Sequence, residues 1–355
     1  MKNLILTTAA LLLAHFSPLI AKEEFTYDQK NNYLGSDIHT IEVNYPIGRM
    51  EIAKSLSDQI DIQFRNIIYA DNQKKADDIN KDLEYKSAQI GDRLTISISR
   101  KHGSPASREF WERVFNGRLE NNQVLLKILI PDGKHIEINS ASSDIKITDL
   151  NLSTNINSAS SDINLEGVHG DFSCDLASGD IIITAQEGEI TIETSSSDLR
   201  LNDIMGNVKA TAASGDIEID KVKGEVEIDC SSGDITTYAI DGDIDLSTVS
   251  GDIMVDDITG SVFIKSISGD ISLKSLQTST GQLKVTSVSG EISMELDSGF
   301  SGEYKISSIS GNISHWFSGD NLQKTKNRIS GKLGDGKGML DISSTSGDIT
   351  ISEFK

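Results

Sequence analysis

Along most of this chain apolar and polar residues alternate in short runs, and the runs recur on a fixed period. Ile217-Glu-Ile-Asp is answered nine residues later by Val226-Glu-Ile-Asp, and the pair returns every 18 residues. Strict alternation marks a strand with one buried face. The β-branched residues at the apolar positions suit a pleated surface. A Ser-Gly-Asp-Ile element punctuates the runs. Its second residue falls at Ser143, Ser161, Gly179, Ser197, Gly215, Gly233, Gly251 and Gly269, in steps of 18. Weaker copies follow at Gly290, Gly311 and Gly347 after steps of 21, 21 and 36, the last being twice 18. A second glycine stands midway, at Gly170, Gly188, Gly206, Gly224, Gly242 and Gly260. Each repeat is therefore two nonapeptides, each a strand of about five residues and a turn.

A fixed period near 20 residues signals stacked units, and no segment between runs is long enough for a helical crossover. The pattern predicts an all-β fold, a single-stranded parallel β-helix (β-solenoid) with 18-residue coils and two short strands per coil. One inward column would be Ile145, Ile163, Ile181, Leu199, Ile217, Ile235, Ile253 and Ile271. The opposite wall would carry Ile190, Val208, Val226, Ile244 and Val262. About a dozen coils at ~4.8 Å each give a stack of about 55–60 Å.

Residues 22–128 are less regular. Alternation marks strands at Ile41–Tyr45, Arg49–Ile52, Gln59–Phe64, Arg93–Ser99 and Val124–Ile130. Gly48-Arg-Met-Glu-Ile followed by Gln59-Ile-Asp-Ile reads as a further coil, where the stack would begin. Short capping helices are expected at Asn72–Leu83 and Ser104–Asn116. In the second, Ser104 is the N-cap, Pro105 the first helical residue and Gly117 the stop. It carries Phe110, Trp111, Val114 and Phe115. These aromatics, with Trp316, form either an interaction patch or a cap over an open end of the stack, whose strand edges would otherwise aggregate. The basic stretch Ser318–Gly338, with Lys324, Lys326, Arg328, Lys332 and Lys337, reads as a surface loop or widened coil. The expected organisation is a signal peptide at 1–21, an N-terminal β-rich segment at 22–128 that starts the solenoid, and the repeat domain at 129–355.

Charge sharpens the picture. The formal net charge is −21, and residues 130–264 alone carry 27 acidic and 6 basic residues, while both flanks are balanced. An acidic rod repels nucleic acid and anionic headgroups. Met1–Ala21 reads as a secretory signal, with Lys2, the apolar stretch Leu4–Phe16 and a cut after Ala21. A retained anchor is the alternative, but the run is short for a span, and no later run is long enough for one. Cys174 and Cys230 fall about three coils, or ~14 Å, apart, too far for a disulfide; both should be buried free thiols.

The Asp that follows each turn forms a ladder: Asp144, Asp162, Asp180, Asp198, Asp216, Asp234, Asp252 and Asp270. Like charges ~4.8 Å apart repel by about 0.9 kcal/mol per pair in bulk water. Either each carboxylate accepts N–H bonds at its own turn, or Asp162, Asp180, Asp198, Asp216, Asp234, Asp252 and Asp270 line calcium sites. Secreted calcium-binding β-rolls also use two nonapeptides per coil, with a Gly-Gly-x-Gly-x-Asp signature that is missing here. No other cofactor is expected. The six histidines are scattered, and neither a Gly-x-Ser-x-Gly element nor a phosphate loop is present. No catalytic residue is assigned; a polysaccharide-acting enzyme would need convergent acids in a groove.

The Ser-Gly-Asp-Ile-x-Ile repeat, the lead-in Leu125-Leu-Lys-Ile-Leu-Ile-Pro-Asp-Gly, and the closing Gly334-Asp-Gly-Lys-Gly-Met-Leu-Asp-Ile-Ser-Ser-Thr-Ser-Gly-Asp-Ile-Thr-Ile resemble the bacterial family of candidate adhesins. These are exported β-helix proteins built on a domain of unknown function, and the resemblance covers residues 40–355. It implies the periplasm or cell surface of a bacterium. The expectation is an exported, non-enzymatic adhesin or cell-envelope structural and binding module, its partner an envelope or surface ligand of protein or polysaccharide. The first alternative is a calcium-stabilised β-roll-like binding module.

Overall fold

The computed structural model describes residues 22–100, 123–277, 281–317, 322–334 and 337–354. The signal segment and the Ser104–Asn116 helix, with Phe110, Trp111 and Phe115, lie outside these described residues. The N-terminal elements are β1 (Glu23–Leu34), β2 (Thr40–Lys54), β3 (Gln59–Ala70), α1 (Gln73–Lys81), β4 (Leu83–Ile90), β5 (Arg93–Arg100) and β6 (Gln123–Ile130). β7 (Lys134–Ser160), β8 (Ile163–His169), β9 (Phe172–Ser178) and β10 (Ile181–Glu187) begin the regular coils.

Those coils form a parallel β-solenoid with an 18-residue register. Ile163, Ile181, Leu199 and Ile217 pair in sequence along one wall, and Phe172, Ile190, Val208 and Val226 along the other. The strands have seven residues rather than five, because each wall has three inward positions. In one coil these are Ile217, Ile219 and Val222, then Val226, Ile228 and Cys230, all buried. Burial of such a side chain contributes about 1.5–3 kcal/mol.

Val222 lies three residues past Ile219 because Lys221 between them adopts a left-handed conformation, φ 56°. The same bend recurs at Asp149, Gly167, Ala185, Asp203, Ala239, Asp257 and Ser275. It adds a column that simple alternation misses: Leu150, Val168, Ile204, Val222, Ile240, Ile258 and Leu276. Gln186 interrupts that column at 1% exposure.

The Gly-Asp corner comes in two forms. At Gly233 φ is +136°, and a Cβ there would lie 2.1 Å from the carbonyl oxygen of Gly215 on the preceding coil. Only glycine fits that approach. Ser143, Ser161 and Ser197 occupy the same column without positive φ, and their side chains are buried. Each pairs its hydroxyl with one three residues earlier: Ser140 at 2.7 Å, Ser158 at 2.6 Å and Thr194 at 2.6 Å.

Both ends depart from sequence order. β2 pairs in parallel with β7, through Ile41↔Ile136 and Met50↔Ile145, and on its other side with β5 and β6. The outermost coil is therefore built from β5 and β6, and β2 is intercalated. β3, expected to complete a coil with Gly48–Ile52, instead runs antiparallel to β6; β1 runs antiparallel to β3, and β4 to β5. The short polar helix is present as α1. Asn72 caps it, its Oδ1 accepting from the Lys75 N–H at 3.0 Å.

At the other end Ile349 pairs with both Ile292 and Ile313. The last coil in sequence thus sits between the two that precede it, and the 36-residue step is not two successive levels. The chain skips a level and lays Arg328–Leu333 antiparallel on Gly302–Ser308. It then returns through Gly338–Ser346 to fill the gap. The described part of the basic stretch is therefore an antiparallel end cap, with Gln323–Thr325 paired outside it, rather than a loop or a widened coil. Antiparallel strands cover β5 and β6 at one end and Gly302–Ser308 at the other, which shields those edges of the parallel stack.

Candidate functional site

The turn ladder is structural, and its bonds run between coils rather than within one turn. Asp234 Oδ1 accepts from the backbone N–H of Asp252 at 2.8 Å, one coil on. Asp162 accepts likewise from Asp180 at 3.1 Å, Asp198 from Asp216 at 3.0 Å and Asp216 from Asp234 at 3.0 Å. Asp252 accepts from Asp270 at 2.8 Å, and Asp270 from Glu291 at 2.8 Å. Asp144 and Asp180 lack this bond, and in each case the next coil turns on serine, Ser161 or Ser197, instead of glycine. The midway turns repeat the device. Asp171 accepts from Glu189 N–H at 3.0 Å, and Asn207 from Glu225 N–H at 3.0 Å. Since Asn207 serves as well as Asp, the bond needs an acceptor and not a charge. Among the described residues no three His, Cys, Asp or Glu side chains converge to hold a metal ion.

Trp316 is half-buried at the C-terminal cap, edge-on to Phe317 at 5.1 Å, and Phe317 in turn lies 4.7 Å from Tyr304. Desolvation, aided by Lys324, lowers the pKa of His315 beside it. Cys174 and Cys230 are free and buried. Burial pushes the Cys174 thiol up to about 12 and raises that of Cys230 as well, so neither thiolate forms readily.

One concave region lies over Thr211, Asp229, Val249, Lys265 and Ile267 on the later coils; a longer one lies where the N-terminal strands join the stack. An open trough runs along the stack axis with Arg49 near its middle. Its walls follow from register. One row across β3, β6, β2 and β7 is Arg65, Leu125, Arg49 and Asp144; it continues to Asp162 and Asp180. The next row, extending to β8 and β10, is Gln63, Lys127, Glu51, Lys146, Asn164 and Ile182. Six strands at ~4.8 Å make it about 24 Å long.

Arg49 and Lys127 make no ion pair among the described residues. Arg65 is held by Asp28 at 2.7 Å, and that hydrogen bond holds the Asp28 carboxyl below its usual range. Beneath the trough the Tyr45 hydroxyl donates to the Val124 carbonyl at 2.7 Å, and burial pushes its pKa up. The donors and acceptors above it are mixed with apolar Leu125 and Ile182. Of these residues sequence reasoning singled out only Asp162 and Asp180, as calcium candidates on the turn ladder, and assigned none of the others to a site. They are ordinary outward positions of strands far apart in the chain, and only the pairing of β2 with β6 and β7 assembles them.

The Toastrack DUF4097 family model matches residues 47–243 and 237–352. No protein of curated function matches the chain. Among solved structures, a candidate cell adhesion protein from Clostridium sporogenes is similar at 10% identity. It covers 93% of this chain and 100% of its own, with a TM-score of 0.21. A candidate lipid binding protein from Parabacteroides distasonis shares 18% identity over 73% of this chain and 96% of its own, TM-score 0.37. A candidate adhesin from Bacteroides fragilis shares 15% over 76% and 97%, TM-score 0.30.

Proposed function

The chain belongs to the Toastrack DUF4097 family, and we propose that it is an exported, non-enzymatic binding module for an extended polymer of the cell envelope or surface. The trough through Arg49 carries this reading. It follows the stack axis across six strands and mixes cations, carboxylates, amides and aliphatic side chains. A compact ligand is held by an enclosed pocket, whereas an open trough along successive strands suits a chain that lies in it. Arg49 and Lys127 supply fork and point-charge donors; Leu125 and Ile182 supply apolar contact. A polysaccharide fits this mixture of hydroxyl-binding and apolar groups, and an extended peptide is the other polymer of similar width.

The test is a binding screen of residues 22–355 against glycans, envelope polymers and matrix proteins. Retention of one polymer, increasing with its length and weakened at least about tenfold, or 1.4 kcal/mol, by Arg49→Ala with Lys146→Ala, is the expected result. Silence across the panel, or binding indifferent to both substitutions, refutes the reading. Protease accessibility on intact cells tests the location, and protection in both intact and permeabilised cells would argue against an exposed rod.

A further inference from the structure

Among the described residues the outer edge of β1 has no strand partner. β1 pairs with β3 along all 12 of its residues, from Glu23↔Ala70 to Leu34↔Gln59, without a bulge and without a proline. Its inner face is anchored, since Phe25 and Tyr27 pack against Ile68, Ala70 and Ala76. The phase of the ladder follows from the Gly35 N–H, which donates to the Asp58 carbonyl at 2.8 Å in the same register. Odd-numbered residues of β1 therefore bond to β3. The N–H and C=O groups of Glu24, Thr26, Asp28, Lys30, Asn32 and Leu34 point outward, and all six side chains are exposed. Natural sheets blunt an edge with a bulge, a proline or a short strand. An edge of about 37 Å with none of these is built for strand addition.

We propose that this edge takes β1 of a second copy of the chain, antiparallel, about a two-fold axis perpendicular to the sheet, so that two stacks join end to end. Self-complementarity fixes the register. The ladder phase sets even-numbered residues opposite even-numbered ones. Centred on Gln29, the pairing places Asp28 opposite Lys30 of the second copy, twice, and Thr26 opposite its Asn32. On the inner face Phe25 meets Tyr33. Lys30 makes no ion pair among the described residues, and Asp28, held by Arg65 on its own side, is open on the other. The registers one step to either side set Asp28 against Asp28 or Lys30 against Lys30, and like charges directly opposite destabilise a pair.

The charge map favours the same arrangement. β1, β3, β6, β2 and β7 step in that order along the stack axis, so β1 stands at the balanced end. The acidic coils begin at β7. Four strand steps in each copy and one across the axis put β7 about 43 Å from its counterpart, several Debye lengths at physiological salt. The acidic segments point away from each other, and neutral segments meet. Both copies use the same edge, so the assembly closes at two. The contact is one strand wide, so the dimer is weak and concentration-dependent. It does not rest on the trough, but it extends it. Asp28 and Lys30 continue the two trough rows beyond Arg65 and Gln63, on the same face in both copies, so pairing joins two troughs into one surface.

Sedimentation velocity of residues 22–355 from about 1 μM to about 1 mM should show a reversible dimer, and small-angle scattering should show its longest dimension nearly doubled. Thr26→Pro removes one outward N–H and leaves the bonds to β3 in place. It should weaken the dimer at least about tenfold with an unchanged circular dichroism spectrum. Lys30→Glu, which sets a carboxylate opposite Asp28, should do the same without touching the backbone. Gln29 faces its own copy in a non-hydrogen-bonded pair, with Cα atoms about 4.5 Å apart, so Gln29→Cys should cross-link on mild oxidation. The wild type, whose thiols are buried, should not. A wild type monomeric throughout, a dimer no longer than the monomer, a dimer that survives both Thr26→Pro and Lys30→Glu, or a Gln29→Cys variant that does not cross-link would each overturn the proposal.

Discussion

Replacing Gly251 tests the corner geometry on which the whole stack rests. A Cβ at this position would lie 2.0 Å from the carbonyl oxygen of Gly233 and 2.6 Å from its carbonyl carbon, at φ +140°. Both approaches are well inside contact distance and both are to backbone, so nothing can swing aside. Alanine has two ways out. It can push the coils apart by roughly 1 Å, which stretches the bonds from Gly233 N–H to Ser250 O (3.0 Å) and from Ile235 N–H to Asp252 O (2.9 Å). Alternatively, it can adopt the serine form of the corner, which forfeits the bond from Asp252 N–H to Asp234. With about 0.5–1.5 kcal/mol per hydrogen bond and about 1–2 for backbone strain, the first route costs about 2–5 kcal/mol, and the second, which orphans the Asp252 N–H, about 1–3. Serine should cost about 1–2 kcal/mol less than alanine here. The hydroxyl of Thr248, three residues earlier, is buried and has no partner. Gly251→Ser would supply one, as Ser197 does for Thr194. Gly215→Ser has Ala212 in that place and should gain nothing over Gly215→Ala. Guanidinium unfolding followed by far-UV circular dichroism gives the four values, read as midpoints with the slope checked for loss of cooperativity. The reasoning is wrong if Gly251→Ala costs less than about 1 kcal/mol, or if serine and alanine are equivalent at 251 but not at 215.

Thr237 stands in an otherwise aliphatic column at 0% exposure with no partner for its hydroxyl. Thr237→Val should therefore stabilise by about 1 kcal/mol, and an unchanged or lower thermal midpoint would show that the hydroxyl is bonded after all. Ala239 holds φ 55° where the equivalent position four coils earlier is Gly167; Ala239→Gly should stabilise by about 0.5–1 kcal/mol, whereas a loss would mean that side-chain contacts outweigh the backbone strain. Asp234→Asn should stay within about 0.5 kcal/mol of wild type, while Asp234→Ala should lose about 1 by orphaning the Asp252 N–H. The same melts should not shift between millimolar calcium and chelator, and a saturable rise abolished by Asp234→Asn would restore the calcium reading.

The walls were legible because both of their signals are local. Alternation and the 18-residue return are imposed on each strand by its own backbone, so the columns through Ile181, Leu199 and Ile217 could be written down from the sequence. The third column was hidden by the left-handed residue that precedes it. Asp149, Asp203 and Asp257 hint at such a bend, since Asp tolerates that region, but Lys221, Ala185 and Ala239 carry no mark. The order of levels was hidden for another reason. A coil alternates in the same way whatever it is stacked on, so nothing near Ile349 says that it belongs between Ile292 and Ile313. The 36-residue step was the one trace of the skipped level, and period arithmetic alone reads it as two coils. The trough was illegible throughout, because Arg49, Lys127 and Lys146 meet only through pairings of β2 with strands some 75 to 95 residues away.

The same contrast explains where binding chemistry can arise on this fold. Identical coils present identical surfaces, and the regular middle spends its turn carboxylates on the backbone of the next coil. Such a surface repeats one arrangement and can grade affinity only by length. A distinct site needs unlike neighbours, and the fold supplies them where the repeat is broken. β2 is intercalated between a coil assembled from β5 and β6 and the first regular coil. That junction brings four unrelated stretches of sequence side by side. It also places the balanced N-terminal segment against the acidic rod, so Lys127, Glu51 and Lys146 alternate in sign along one row, while in the other Arg49 stands beside Asp144 at the head of the acidic ladder. The intercalation of β2 that begins the stack therefore also creates its least repetitive surface, the one on which the proposed binding rests.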